Sequence, residues 1–166
     1  MPDPAYYPLA IGNTWTYKMK DGKTFTNRVT SADGTTFSMS NSLTPAATHV
    51  KKEGDNYLTD SFEAGKWLVM LKDNLKKGDT WQVEFTANGF NSILTYTVKD
   101  TDISKEVEGK TYNDVAFLES DSKLNMNGNI ISMNFLTQYY YAKGVGLILT
   151  TSSHGDAMPL TSFEIK

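Results

Sequence analysis

An all-β, mainly antiparallel domain is predicted by three observations on this chain of 166 residues. Apolar and polar residues alternate in segments of strand length, Gly-containing turn dipeptides separate those segments, and the polar content is dominated by Thr, Ser and Asn beside many aromatic residues. The length fits one domain over 1–166 with a core of its own. The expected arrangement is a meander forming a curved open sheet, a half-barrel or a barrel.

The elements follow in chain order. Trp15, Tyr17 and Met19 share one face of a first strand, and Thr14, Thr16 and Lys18 take the other. The Asp21-Gly22 dipeptide turns the chain into a second strand carrying Phe25, Asn27 and Val29. Asp33-Gly34 turns it again into a third with Phe37 and Met39. Between Asp60 and Gly78 the pattern is double-valued. Ala64, Trp67, Leu68, Leu71 and Leu75 recur at helical spacing, with Asp60 and Glu63 placed to cap a start, so one short helix around 61–77 is one reading. The contiguous Trp67-Leu68-Val69-Met70-Leu71, together with Gly65, favours a buried strand instead. Alternation returns at Trp81, Val83, Phe85 and Ala87, at Leu94, Tyr96 and Val98, and at Ile131, Met133 and Phe135. The run from Asn129 to Ala142 is long for one strand and is expected to bend near Thr137-Gln138.

One segment echoes another. Leu9-Ala10-Ile11-Gly12-Asn13-Thr14-Trp15 and Leu75-Lys76-Lys77-Gly78-Asp79-Thr80-Trp81 share Leu, Gly, an Asn or Asp, Thr and Trp at equal spacings. Gly followed by an Asx residue is turn chemistry, and the Trp then opens a strand. The echo therefore predicts two meander halves with equivalent entries.

Composition narrows the function classes. Sixteen basic residues, only one of them Arg (Arg28), against 19 acidic ones give a net charge of −3, which argues against a nucleic-acid partner. No apolar run approaches the roughly 20 residues of a transmembrane helix. The absence of Cys removes disulfides, thiolate metal sites and Cys nucleophiles, and two His are too few for a His-rich metal cage, so neither metal nor cofactor is expected. The first residues hold neither a basic stretch nor an apolar one, hence no signal peptide. Pro2, Pro4 and Pro8 suggest a linker over 1–8 leading into the fold, as would follow a trimmed signal or lipid-anchor segment.

Two flanking motifs carry a resemblance: Tyr6-Tyr7-Pro8-Leu9-Ala10-Ile11-Gly12-Asn13-Thr14-Trp15-Thr16-Tyr17 and Tyr139-Tyr140-Tyr141-Ala142-Lys143-Gly144-Val145-Gly146-Leu147-Ile148. With the middle segment Val107–Val115, they resemble a broad family of small β-rich bacterial exported proteins and lipoproteins of unknown function. The resemblance implies an extracytoplasmic location, in the periplasm or at the cell surface, with a lipid anchor upstream. It also implies an open, strongly curved sheet or half-barrel.

Catalytic signatures are thin. Ser152-Ser153-His154-Gly155-Asp156 holds the residue types of a hydrolase triad, but neighbours in sequence cannot build that relay, and a loop between two strands is the better reading. Gly144-Val145-Gly146 lacks the Lys-Ser/Thr of a phosphate loop. Asp100 with Asp102, and Glu119 with Asp121, each place two carboxylates on one strand face. Across a cleft they would suit glycoside hydrolysis, the rival enzyme reading. Tyr139 and Tyr141 share a strand face, and with Trp15, Trp81 and Met133 they form the candidate ligand-binding set, since aromatic rings and flexible thioethers suit acyl or sugar ligands. The leading expectation is a monomeric, non-enzymatic domain binding a lipid, a glycan or an envelope protein. A purely structural surface module is the remaining alternative.

Overall fold

The computed structural model describes residues 5–166, and among them there are twelve strands and no helix. The first six are β1 (Thr14–Lys18), β2 (Thr24–Asp33), β3 (Thr36–Asn41), β4 (Thr44–Glu53), β5 (Asn56–Thr59) and β6 (Leu68–Lys72). The second six are β7 (Thr80–Ala87), β8 (Phe90–Val107), β9 (Lys110–Met126), β10 (Asn129–Ala142), β11 (Gly146–Ser152) and β12 (Ala157–Glu164). All neighbours pair antiparallel, in the order β6-β5-β4-β3-β2-β1-β12-β11-β10-β9-β8-β7.

This order is two six-stranded meanders joined where β1 meets β12, with Thr14 opposite Glu164 and Tyr17 opposite Leu160. The outermost strands β6 and β7 then meet around the back. No backbone ladder joins them, and side chains close the gap. Trp81 Nε1 donates to the Val69 carbonyl at 3.1 Å, Phe62 and Phe85 lie 5.1 Å apart, and the Thr86 amide donates to Glu63 Oε1 at 2.6 Å. The sheet is thus a nearly closed barrel with one side-chain seam.

The predicted repeat is built as the same turn twice. Gly12 (φ +95°) and Gly78 (φ +93°) occupy the left-handed region that glycine adopts without strain. In the first copy Gly12 N donates to Val29 O, Val29 N to Asn13 O, and Asn13 N to Ala10 O. In the second, Gly78 N donates to Val98 O, Val98 N to Asp79 O, and Asp79 N to Lys76 O. Each turn locks onto a strand of its own half and launches a strand that begins Thr-Trp.

The helical reading of 61–77 is not realised. Gly65 has φ +78°, which a right-handed helix excludes, and Leu68–Lys72 is strand β6. The two acids that would have capped a helix tie the preceding loop to the barrel instead: Asp60 accepts from the His49 amide at 3.1 Å and contacts its Nδ1 at 2.9 Å, and Glu63 accepts from Thr86. In β10 the irregularities fall between Ser132 and Leu136 and between Tyr140 and Tyr141, flanking the expected Thr137-Gln138 position. Asn134, at φ +51°, turns the first of them. Ser152 and Asp156 flank the β11–β12 turn, as the loop reading of that segment had it.

The core fills the barrel with Trp15, Tyr17, Val29, Tyr57, Leu71, Leu118, Tyr141, Ile148 and Leu160, all buried. Each contributes roughly 1.5–3 kcal/mol from burial alone. One barrel end is stoppered by the segment before β1. Of the expected linker, residues 1–4 lie outside the described part of the chain, while Tyr6 is buried and Tyr7 packs on the core with its ring 5.2 Å from Trp15. Backbone bonds fix this stopper: Ala5 O accepts from Gly144 N, and Tyr6 N donates to Asp73 Oδ1 at 3.0 Å.

Candidate functional site

Among the described residues the opposite end carries no such stopper. Its rim is made by the β1–β2, β3–β4, β7–β8, β9–β10 and β11–β12 turns together with the loop between β5 and β6. The inward face is set by register: Tyr139 pairs with Leu118 and Thr150, Thr150 pairs with Met158, and Thr137 pairs with Ser120. Residues directly opposite share a face. Met158, Thr150 and Thr137 therefore continue the lining begun by buried Leu118 and Tyr141. A cavity of about 350 Å³ opens here, lined by Met19, Phe135, Thr137, Thr150 and Met158, with Lys20 and Asp156 paired at 3.7 Å on its edge. Apolar walls with a few hydroxyls and one ion pair at the mouth suit a ligand with an apolar body and a polar head.

A second concavity lies outside, along the seam. About 420 Å³ is bounded by Trp67, Trp81, Val69, Lys66, Lys72 and Glu84. Lys72 Nζ sits 5.2 Å above the Trp81 ring, and Lys51 Nζ sits 4.6 Å above Trp67.

The five sequence-chosen residues separate. Trp15 is 1% exposed, its Nε1 donating to Val145 O at 2.6 Å, and Tyr141 is 4% exposed. Both are core. Tyr139 and Trp81 are half-buried and meet through Tyr96, which stacks on Trp81 at 5.0 Å and lies 6.1 Å from Tyr139. The small Ser120, between Tyr96 and Thr137 in the sheet, leaves room for that row. Met133 stands alone near the β9–β10 turn, 45% exposed. Tyr140 takes the outer face as alternation required, stacked on Phe117 at 4.7 Å. The set thus yields one aromatic row leading from the seam inward, while of the two thioethers that line the mouth Met19 was placed by alternation on the face of Trp15 and Tyr17, and Met158 was not singled out by any pattern.

Burial shapes the tyrosine chemistry. Burial, reinforced by Asp102, Asp114 and Asp73, pushes Tyr6 up to about 12. Burial and then the Asp73 charge raise Tyr57, whose hydroxyl donates to the Asp73 carboxylate at 3.0 and 3.1 Å. Burial alone raises Tyr7, and it is the largest cause at Tyr17 and Tyr141. Asp73 also binds Lys52 at 2.7 Å, so it fastens the stoppered end.

The carboxylates of the hydrolase reading stand on the outer wall. Glu119 and Asp121 flank inward Ser120, so they point outward, and Glu119 accepts from Gln138 Nε2 at 2.9 Å. Asp102 is exposed, and Asp100 accepts from the adjacent Thr101 amide at 2.9 Å. They share no cleft with one another. Among the described residues no group of three or more His, Asp or Glu is placed to hold a metal ion.

The fold of this chain is also found in solved structures. A protein of Bacteroides fragilis assigned as exported and as having a YmcC-like fold superposes with a TM-score of 0.58 at 10% identity, over 97% of this chain and 99% of that one. A protein of Parabacteroides distasonis assigned as a lipoprotein gives 0.52 at 10% identity, over 99% and 100%. The chain thus has the YmcC-like fold. No protein-family model matches it, and no curated protein does.

Proposed function

We propose that this chain is a non-enzymatic extracytoplasmic domain that binds an amphiphile with an acyl-like body in the open end of its barrel. The observation that carries the reading is the mouth cavity, with Met19, Met158 and Phe135 inside and the Lys20–Asp156 pair at its lip. Thioethers re-pack around irregular chains at little cost. The exported and lipoprotein descriptions of proteins sharing the fold support an envelope location, in which a lipid anchor upstream would hold the domain near such ligands. Titration of the full chain with a fluorescent fatty-acid analogue tests it. Saturable binding is expected, weakened at least tenfold by Met158→Asp with the far-UV spectrum unchanged. Absence of saturable binding by the wild type overturns the reading.

The seam groove favours a second reading, a glycan held against Trp67, because an indole beside polar side chains suits a sugar face, whereas the Trp81 ring is already occupied by Tyr96 and Lys72. Quenching of Trp fluorescence by neutral oligosaccharides, lost in Trp67→Ala, supports it. Oligosaccharides without effect remove it.

A further inference from the structure

Three of the twelve strands are longer than the barrel needs. Trp81, Tyr96, Ser120, Thr137 and Ser152 lie in one row across β7 to β11, and Ser152 ends β11. Beyond this row β8 and β9 each run six residues further, to Phe90 and Met126, a reach of about 20 Å along the strand at ~3.3 Å per residue. The β7–β8 and β9–β10 hairpins therefore project side by side at the open end, since Asn91 pairs with Asn125 and Asn125 with Ile130.

The charges of the projection, Glu84, Asp121 and Lys123, lie on its barrel side, and its ends carry none. Residues 85–93 and 124–134 contain no Asp, Glu, Lys, Arg or His, in a chain that is 21% charged. Its tips carry Phe90, Met126, Ile130, Ile131 and Met133, between 40% and 55% exposed. By register Phe90, Met126 and Ile131 share one face of the hairpins and Ile130 takes the other. Exposed Leu43 at the β3–β4 turn lies on the same rim, so exposed apolar side chains crown the end of the barrel, the arrangement an end-on contact with an apolar layer uses. The five side chains also expose on the order of 500 Å², below the roughly 800 Å² per partner of a standard protein interface. Two narrow tips with Asn-Gly turns, Asn88-Gly89 and Asn127-Gly128, keep polar backbone at headgroup depth, where it stays hydrated.

We infer that the β7–β8 and β9–β10 hairpin tips insert into the interfacial layer of a lipid bilayer. The mouth then faces the membrane, which is the side from which an amphiphile would enter. The inference does not depend on ligand binding, since the tips and the cavity use different residues.

Flotation of the full chain with phosphatidylcholine vesicles, at low and high salt, tests it. The wild type is expected to float with the vesicles to the same extent at both salt concentrations, and Phe90→Ser with Ile130→Ser to reduce the bound fraction at least tenfold. The fatty-acid titration of the same variant stays at the wild-type value, which separates failure of this inference from failure of the ligand reading. A wild type that stays with the soluble fraction overturns the inference, as does binding abolished by salt. Dimerisation in analytical ultracentrifugation that the same substitutions abolish overturns it in favour of a second copy of the chain.

Discussion

The two halves of the barrel start alike and end differently. Each opens with the same Gly-Asx-Thr-Trp turn, bonded to its own half by the same three backbone hydrogen bonds. The first half then builds short strands, down to four residues in β5 and five in β6, and the segment before β1 stoppers its end. The second half builds β8, β9 and β10 of 18, 17 and 14 residues and projects past the barrel. The two Trp residues differ accordingly. Trp15 is enclosed on the backbone-paired side, with Tyr7 over it, while Trp81 is half-buried at the seam and supplies the hydrogen bond that strands would otherwise make. One turn design thus serves a sealed joint in one half and an adjustable one in the other. Both halves share the buried core, and the exposed chemistry gathers at the second joint and at the tips of the second half.

The sharpest test of that division is Trp15→Ala against Trp81→Ala. Trp15→Ala empties a fully enclosed site and leaves the Val145 carbonyl unpaired, so about 3–5 kcal/mol of unfolding free energy is lost. Trp81→Ala removes a half-exposed ring and one seam bond, costing about half as much on the same basis. Urea unfolding of both variants measures the ratio. Equal losses would mean that the seam is as enclosed as the β1–β12 joint.

A second test uses alkaline pH, because burial at the stoppered end, reinforced by nearby carboxylates, holds two tyrosines neutral. Tyr6 is raised to about 12 and Tyr57 further, from the ordinary value near 10. Above pH 10 the unfolded chain loses these protons first and the folded chain keeps them. Stability is therefore fully present below about pH 10 and declines as pH rises through 12. Unfolding free energies measured from pH 9 to 12 should fall steadily. Tyr57→Phe should flatten that slope although it costs stability at neutral pH, where the bond to Asp73 is lost. A slope unchanged in Tyr57→Phe would place the alkaline sensitivity elsewhere in the barrel.

Local rules were legible from the sequence where they act alone. Period-two alternation located β1, β2 and β7, and put Tyr139 and Tyr141 on the inner face with Tyr140 outside. The Gly-Asx echo was readable because one turn geometry demands those residue types. The segment around 61–77 was ambiguous because its acids satisfy a helix start as well as His49 and Thr86, which only the folded chain brings near. The mouth was not legible for a related reason. Met19, just past the end of β1, Phe135 in β10 and Met158 in β12 meet because of the strand order β1-β12-β11-β10, a topological fact that no local pattern encodes. Likewise Trp15 and Trp81 have the same sequence context, and only the barrel decides that one is sealed and the other half-open.

The smallest expected effect is the most discriminating. If the hairpin tips serve a partner and not the fold, Phe90→Ser with Ile130→Ser should change the unfolding free energy by less than about 1 kcal/mol, small for two apolar side chains. Both residues flank turns, at 47% and 55% exposure, and neither belongs to the core cluster. At about half exposure each side chain keeps only part of a buried residue's gain, and the compact unfolded chain already hides part of that, so replacing it by Ser removes little burial. Urea titration beside the wild type measures the difference. A loss of 2 kcal/mol or more would show that the hairpin tips already bury these side chains within the chain, and the contrast between an enclosed barrel and its projecting tips would fail at the point where it is most exposed.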